Sequence, residues 1–218
     1  MQVRKIVVPK TARYMVLGKP GPGIRRVWFV CHGYGQLLED FVNGFQVLDD
    51  GAGLVVAPEG LHRFYVHGGN GKVGASWMTR QDRLDDIGDY TEYLNLVFTD
   101  VKSSLPDDAV NRLRVDVLGF SQGAATAWRW AMNRDDVDRV ILWGGDVPQD
   151  NDWDHVRQRF KSMELQLVAG DKDPFLKPAI LDLQIKLLEK QGISPMVKTF
   201  PGSHFIDKDV LIDLSKGI

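Results

Sequence analysis

Apolar positions in this chain fall into short unbroken blocks separated by turn residues, with little strict alternation of apolar and polar. Val27-Trp28-Phe29-Val30-Cys31, Leu54-Val55-Val56-Ala57, Val140-Ile141-Leu142-Trp143 and Leu165-Gln166-Leu167-Val168-Ala169 are such blocks, and Arg114 leads into another that ends at Phe120. Runs of this length suit parallel strands covered on both faces. Residues 196–200 supply a last strand, and residues 2–8 and 13–17 read as two antiparallel strands at the start.

Helical spacing fills the gaps. Leu38, Phe41, Val42 and Phe45 predict a helix over 37–48, and Leu84, Ile87, Leu94, Val97, Phe98 and Val101 predict a long one from Gln81 with Pro106 beyond its end. Further helices are expected over 122–133, 178–191 and 209–214. Residues 60–80 show neither period, carry glycines at 60, 68, 69, 71 and 74, and read as a long ordered loop of the kind that is often functional. Strands alternating with helices imply one α/β domain over 1–218, a doubly wound and mostly parallel sheet whose ligands lie at the carboxyl ends of the strands.

Composition narrows the partners. The 218 residues are 44% hydrophobic, enough for one substantial core, and a formal charge of −2 with both signs interspersed offers nucleic acid no basic face. No run approaches the ~20 apolar residues that span a bilayer. Ile6-Val7-Val8 is too short for the apolar core of a signal peptide, and the one cysteine, Cys31, excludes an internal disulfide. A cytoplasmic protein is expected, without stable membrane insertion.

The chemistry centres on Gly119-Phe120-Ser121-Gln122-Gly123, where an apolar strand runs straight into a small-residue helix. That context makes the motif a nucleophile elbow, with Ser121 on a strained turn and glycines that let strand and helix crowd together. A serine hydroxyl needs a base and an orienting carboxylate, which follow the serine along the chain in folds of this kind. His204, in Gly202-Ser203-His204 after the last strand, takes the base role. Asp173 is the preferred acid, with Asp171 and Asp146 as alternatives, because an aspartate before Pro174 also fits a helix cap. The Gln122 N–H and the Tyr34 N–H of His32-Gly33-Tyr34-Gly35 are placed to hold an oxyanion. His32 reads as a residue that shapes the end of its strand.

His32-Gly33-Tyr34-Gly35, Ala57-Pro58-Glu59-Gly60, Ala75-Ser76-Trp77, the Ser121 elbow, Gly170-Asp171-Lys172-Asp173-Pro174 and Gly202-Ser203-His204 together resemble the phospholipase/carboxylesterase family of α/β-hydrolases, which includes the acyl-protein thioesterases. The resemblance runs from about Val27 to Phe205. It implies an α/β-hydrolase fold without a large lid, a triad of Ser121, Asp173 and His204, oxyanion donors at Tyr34 and Gln122, and no metal or cofactor. The stretch after Asp173-Pro174, Phe175-Leu176-Lys177-Pro178, is only partly similar. Trp143-Gly144-Gly145-Asp146 also departs from the small apolar turn of the protein-deacylating branch.

Trp77, Met78 and Phe175 are candidates for the substrate pocket. Gly69-Asn70-Gly71-Lys72-Val73-Gly74 matches a dinucleotide-binding pattern in letters but lacks the flanking strand and helix. The expected activity is hydrolysis of a small-molecule carboxylic ester or thioester with a short or medium acyl chain, through an acyl-enzyme. Its rivals are acyl transfer to an acceptor other than water and a silent binding protein on the same fold.

Overall fold

A computed structural model describes residues 1–216, and its centre is a seven-stranded sheet in the order β1-β3-β2-β6-β7-β8-β9. The strands are β1 (Tyr14–Leu17), β2 (Arg26–Cys31), β3 (Gly53–Pro58), β6 (Arg114–Phe120), β7 (Arg139–Trp143), β8 (Glu164–Gly170) and β9 (Met196–Phe200). All neighbours run parallel except β1, which pairs antiparallel with β3. Residues 2–8, expected as a second antiparallel strand, form no regular structure, and Val3, Ile6, Val7 and Val8 are exposed. Their β-forming composition finds no partner edge among the described residues, so local propensity alone does not make a strand there.

The apolar blocks bury both faces. Along β2, Val27, Phe29 and Cys31 join one core layer with Tyr90, Leu94 and Phe98 of α2 (Arg83–Ser103) and Trp128 and Trp130 of α4 (Gln122–Met132). Trp28 and Val30 point the other way, onto Phe41 of α1 (Leu38–Val42), Phe45 and Leu48 of a 3-10 turn, and Val210, Leu211 and Leu214 of α7 (Lys208–Lys216). The period-two side-chain geometry of a strand splits each apolar run between two layers. The helix expected over 37–48 is therefore α1 followed by a tighter 3-10 turn (Asn43–Leu48).

Residues 60–80 are not a loop throughout: β4 (His62–Tyr65) and β5 (Val73–Ser76) form an antiparallel hairpin. Its strands are only four residues each, and close backbone approach takes glycine where a strand pattern would show side chains. A Cβ on Gly74 would lie 2.5 Å from Gly35 O, and one on Gly60 2.5 Å from Ser76 O. Gly35 N–H donates to Ala75 O and Ala75 N–H to Gln36 O, so the hairpin is tied to the loop after β2. Residues 69–72 lie in the turn joining its strands, which accounts for the glycine pattern there. The sequence pattern also missed two short helices, α3 (Asp107–Val110) and α5 (Trp153–Arg159); α6 (Pro178–Lys190) lies where its spacing placed it. Among the described residues no helix is long and apolar enough to cross a membrane.

Candidate active site

The carboxyl ends of β2, β6, β7, β8 and β9 converge, and each feeds one loop into the same place. At the end of β6, Ser121 has φ 55° and ψ −120°, a backbone conformation that L-residues rarely hold. Its neighbours leave no room for a relaxed turn. A Cβ on Gly119 would sit 2.1 Å from Gly123 O, and one on Gly123 would sit 2.2 Å from Cys31 O. Ser121 N–H donates to Trp143 O at 2.9 Å, which locks the turn onto β7.

His204 and Asp173 meet across the loops after β9 and β8. His204 Nδ1 donates to Asp173 Oδ2 at 2.7 Å, and Asp173 is almost fully buried. Asp173 Oδ1 accepts the backbone N–H of Phe175 at 2.8 Å and of Leu176 at 3.0 Å. The capping reading and the imidazole partner are thus two ends of one side chain, and the cap closes a bend after Asp173; α6 itself starts later, at Pro178. Burial pushes the Asp173 pKa up, but the hydrogen bonds from His204, Leu176 and Phe175 more than reverse this and leave it below the ordinary aspartate value. The carboxylate is therefore charged at neutral pH. Asp171 faces elsewhere: its Oδ1 accepts Gly202 N–H at 3.0 Å and so steadies the loop that carries His204. Asp146 accepts from Gln184 Nε2 at 2.7 Å.

The imidazole of His204 lies between two rings, with centroids 4.7 Å from both Phe120 and Phe175. Phe120 is buried, whereas Phe175 is 72% exposed and covers the ring from outside. Gly144 fits under the pair with φ +60°, and a Cβ there would lie 3.1 Å from His204 Nδ1 and 3.2 Å from Asp173 Oδ2. Next to it, a Cβ on Gly145 would be 2.4 Å from Ser121 O. The Gly144-Gly145 backbone therefore touches both the serine turn and the histidine–aspartate pair. Sequence reasoning missed this contact; two glycines closing a buried strand were its only trace. Among the described residues Ser121 Oγ makes no hydrogen bond with a protein group; Phe120, next to it in the chain, packs on His204, and Gly144-Gly145 touch both the serine turn and the imidazole.

A Cβ on Gly33 would lie 3.1 Å from the Ser121 Cβ, so the loop after β2 packs directly on the Ser121 turn. Gly33 N–H is held by Gln36 Oε1 at 2.8 Å. The next amide, Tyr34 N–H, and Gln122 N–H at the start of α4 donate to no protein acceptor among the described residues. His32 is buried and neutral: Nε2 accepts Gly60 N–H at 2.9 Å and Nδ1 donates to Gly33 O at 2.8 Å. Burial lowers its pKa, and its bonds pin the end of β2 to the turn after β3. Cys31 beside it is buried, and burial pushes its thiol pKa up.

The pocket candidates separate. Trp77 is fully buried, with its indole N–H donating to His32 O at 2.8 Å, so its ring belongs to the core. Met78 is partly exposed, and its carbonyl accepts from Gln122 Nε2 at 2.9 Å. The Gln122 side chain also accepts Trp77 N–H, a clamp on residues 76–78 that sequence gave no sign of. Surface hollows lined by Phe160, Met163 and Ile193, and by Arg139, Gln166 and Lys198, lie at the opposite end of the strands. Among the described residues no three His, Cys, Asp or Glu side chains are grouped to hold a metal ion.

No protein-family model matches the chain, and no curated protein matches it in sequence. Solved structures do match. Acyl-protein thioesterase 2 of Zea mays superimposes with a TM-score of 0.70 at 17% identity, over 94% of this chain and 97% of that one. The esterase PE8 gives 0.67 at 20% identity over 95% and 97%, and the Bacillus cereus carboxylesterase 0.63 at 14% over 94% and 92%. Likeness over nearly the whole of both chains shows the α/β-hydrolase fold, with no large inserted lid among the described residues.

Proposed function

We propose that this chain is a serine hydrolase of the phospholipase/carboxylesterase type, which cleaves carboxylic esters or thioesters through an acyl-enzyme on Ser121. The observation that carries the reading is the 2.7 Å His204 Nδ1 to Asp173 Oδ2 hydrogen bond beside a serine held at φ 55°. A serine in strained backbone and an imidazole oriented by a buried carboxylate are what acyl transfer requires.

The steps follow from the atoms. Asp173 holds His204 with its proton on Nδ1, which leaves Nε2 as the free base. Ser121 Oγ attacks the carbonyl carbon as its proton passes to Nε2. The oxyanion takes the Gln122 and Tyr34 amides, a role supported by their having no protein acceptor among the described residues; losing one such donor typically raises a barrier by about 2.7 to 4 kcal/mol. The C–O or C–S bond then breaks, and the alcohol or thiol leaves with the proton from Nε2. Water, deprotonated by the same nitrogen, attacks the acyl carbon; the bond to Ser121 Oγ breaks, Nε2 returns the proton to Oγ, and the carboxylic acid is released. Asp173 stays ionised throughout and stabilises the imidazolium. The fold shared with solved esterases and thioesterases supports the reaction class.

A fluorophosphonate probe tests the reading directly. Folded wild-type protein should gain one adduct on Ser121, and Ser121→Ala should gain none; an unlabelled wild type would refute a competent nucleophile.

A further inference from the structure

The Gly33 C=O and the Tyr34 N–H belong to one planar trans peptide and point in opposite directions, so whatever fixes the carbonyl also aims the amide. Gly33 has no side chain to restrict its φ and ψ, and its peptide groups must be held from outside. Gln36 grips both of them. Its side-chain Oε1 accepts Gly33 N–H at 2.8 Å, and its backbone N–H donates to Gly33 O at 3.3 Å, where His32 Nδ1 also donates at 2.8 Å. A Cβ on Gly33 would lie 3.1 Å from Gln36 Oε1 and 3.1 Å from the Ser121 Cβ, so this grip is applied where the loop meets the serine turn.

Gln36 is itself anchored. Gly35 turns the chain back at φ +77°, and its N–H donates to Ala75 O at 2.8 Å, while Gln36 O accepts Ala75 N–H at 3.2 Å. Ala75 is fully buried in β5, so the hairpin supplies a fixed base for the loop. The ring of Tyr34 rests on Phe64 of the same hairpin, with centroids 4.9 Å apart. Across residues 33–36 the amides of Gly33, Gly35 and Gln36 each have a protein acceptor, and that of Tyr34 has none among the described residues. We propose that Gln36 is a positioning residue for acyl transfer: by occupying Gly33 N–H and fixing the peptide that follows, it leaves Tyr34 N–H as the one free donor of the loop and aims it at the oxyanion. The inference rests on the hydrolase reading above.

Gln36→Met keeps the length of the side chain and the backbone bridge to Ala75 but removes the acceptor for Gly33 N–H; Gln36→Ala is the second variant. Losing an oxyanion donor outright costs about 10²–10³ in kcat, so a misaimed one should cost about 10- to 100-fold with p-nitrophenyl butyrate. Acylation and deacylation both pass through the oxyanion, so KM should stay within about threefold. The Ki of 1,1,1-trifluoropentan-2-one, whose carbonyl carbon takes Ser121 Oγ and whose oxygen becomes an anion, should rise by the same factor as kcat/KM falls. The pKa read from the pH dependence of kcat/KM should not move, because the histidine and its aspartate are untouched. In a crystal of the wild-type adduct the hemiketal oxygen should lie about 2.7–3.1 Å from Tyr34 N, with Gln36 Oε1 still on Gly33 N–H. A kcat within about twofold of wild type in both variants, a loss confined to KM, a shifted pKa, or an adduct in which Gln36 has left Gly33 overturns the inference and leaves the hydrolase reading standing. A wild type that neither turns over the ester nor binds the ketone overturns both.

Discussion

Asp173→Asn isolates the orienting carboxylate with little disturbance of the loop around it. In the native side chain one oxygen accepts two backbone N–H groups, from Phe175 and Leu176, while the other accepts His204 Nδ1–H. An amide has only one oxygen. Because the two backbone groups can only donate, that oxygen should stay with them and the NH2 should turn to His204. Nδ1 must then accept, and the imidazole proton moves to Nε2, the nitrogen that receives the proton of Ser121 in the proposed mechanism. Folding should change by no more than about 1 kcal/mol, since both backbone bonds persist and one side-chain bond is replaced by another. Turnover should fall by about 10⁴, the loss typical of a triad histidine held in the wrong tautomer. At 1.36 kcal/mol per tenfold this is a barrier increase of about 5.5 kcal/mol. The assay is steady-state hydrolysis of p-nitrophenyl butyrate alongside a thermal melt, with KM expected to move far less than kcat. A variant with native Tm and kcat within tenfold of wild type would refute the assignment and return the acid role to Asp171 or Asp146, against the hydrogen bonds those two side chains make.

Gly144→Ala should lower kcat by about tenfold to a hundredfold, because its methyl would press on both His204 and Asp173. It should also lose about 1–2 kcal/mol of stability from the left-handed backbone; native kcat would show that the pair tolerates the contact. Ser121→Gly should abolish hydrolysis yet stabilise the fold by about 1 kcal/mol, since release of strain at φ 55° exceeds the added freedom of the unfolded chain. A calorimetric Tm at or below wild type would mean the turn is not strained. Stability should also fall on acidification through the ordinary histidine range near pH 6.5. The pKa of His32 is lowered by burial, so below that pH the unfolded chain binds a proton the folded chain refuses. Melts at pH 7.5 and 5.5 check the sign, and equal Tm values would argue against a buried neutral His32.

What the sequence determined by itself was whatever rests on local chemistry. Unbroken apolar blocks bounded by turn residues and alternating with helical segments suit strands covered on both faces, so β2, β3, β6, β7 and β8 were legible as central strands. The elbow was legible because strand, glycine, serine, glycine and helix follow in one continuous segment, and His204 because it closes the last strand. Tertiary structure decided everything set by contacts between segments distant in the chain. Asp171 and Asp173 lie on the same turn and are chemically identical; which of them reaches His204 depends on how the loops after β8 and β9 are docked, and Asp171 is spent on Gly202 N–H. The hairpin at 62–76 was hidden because its glycines answer to the backbones of Gly35 and Ser76 across space, leaving no period in the sequence. Residues 2–8 show the converse, a strand-like composition with no edge to join. Gly144 and Gly145 looked like an ordinary turn after β7, and only the packed sheet brings them against Ser121, His204 and Asp173. A side chain's type is local information, whereas its partner depends on the path of the whole chain, and catalytic geometry consists of partners.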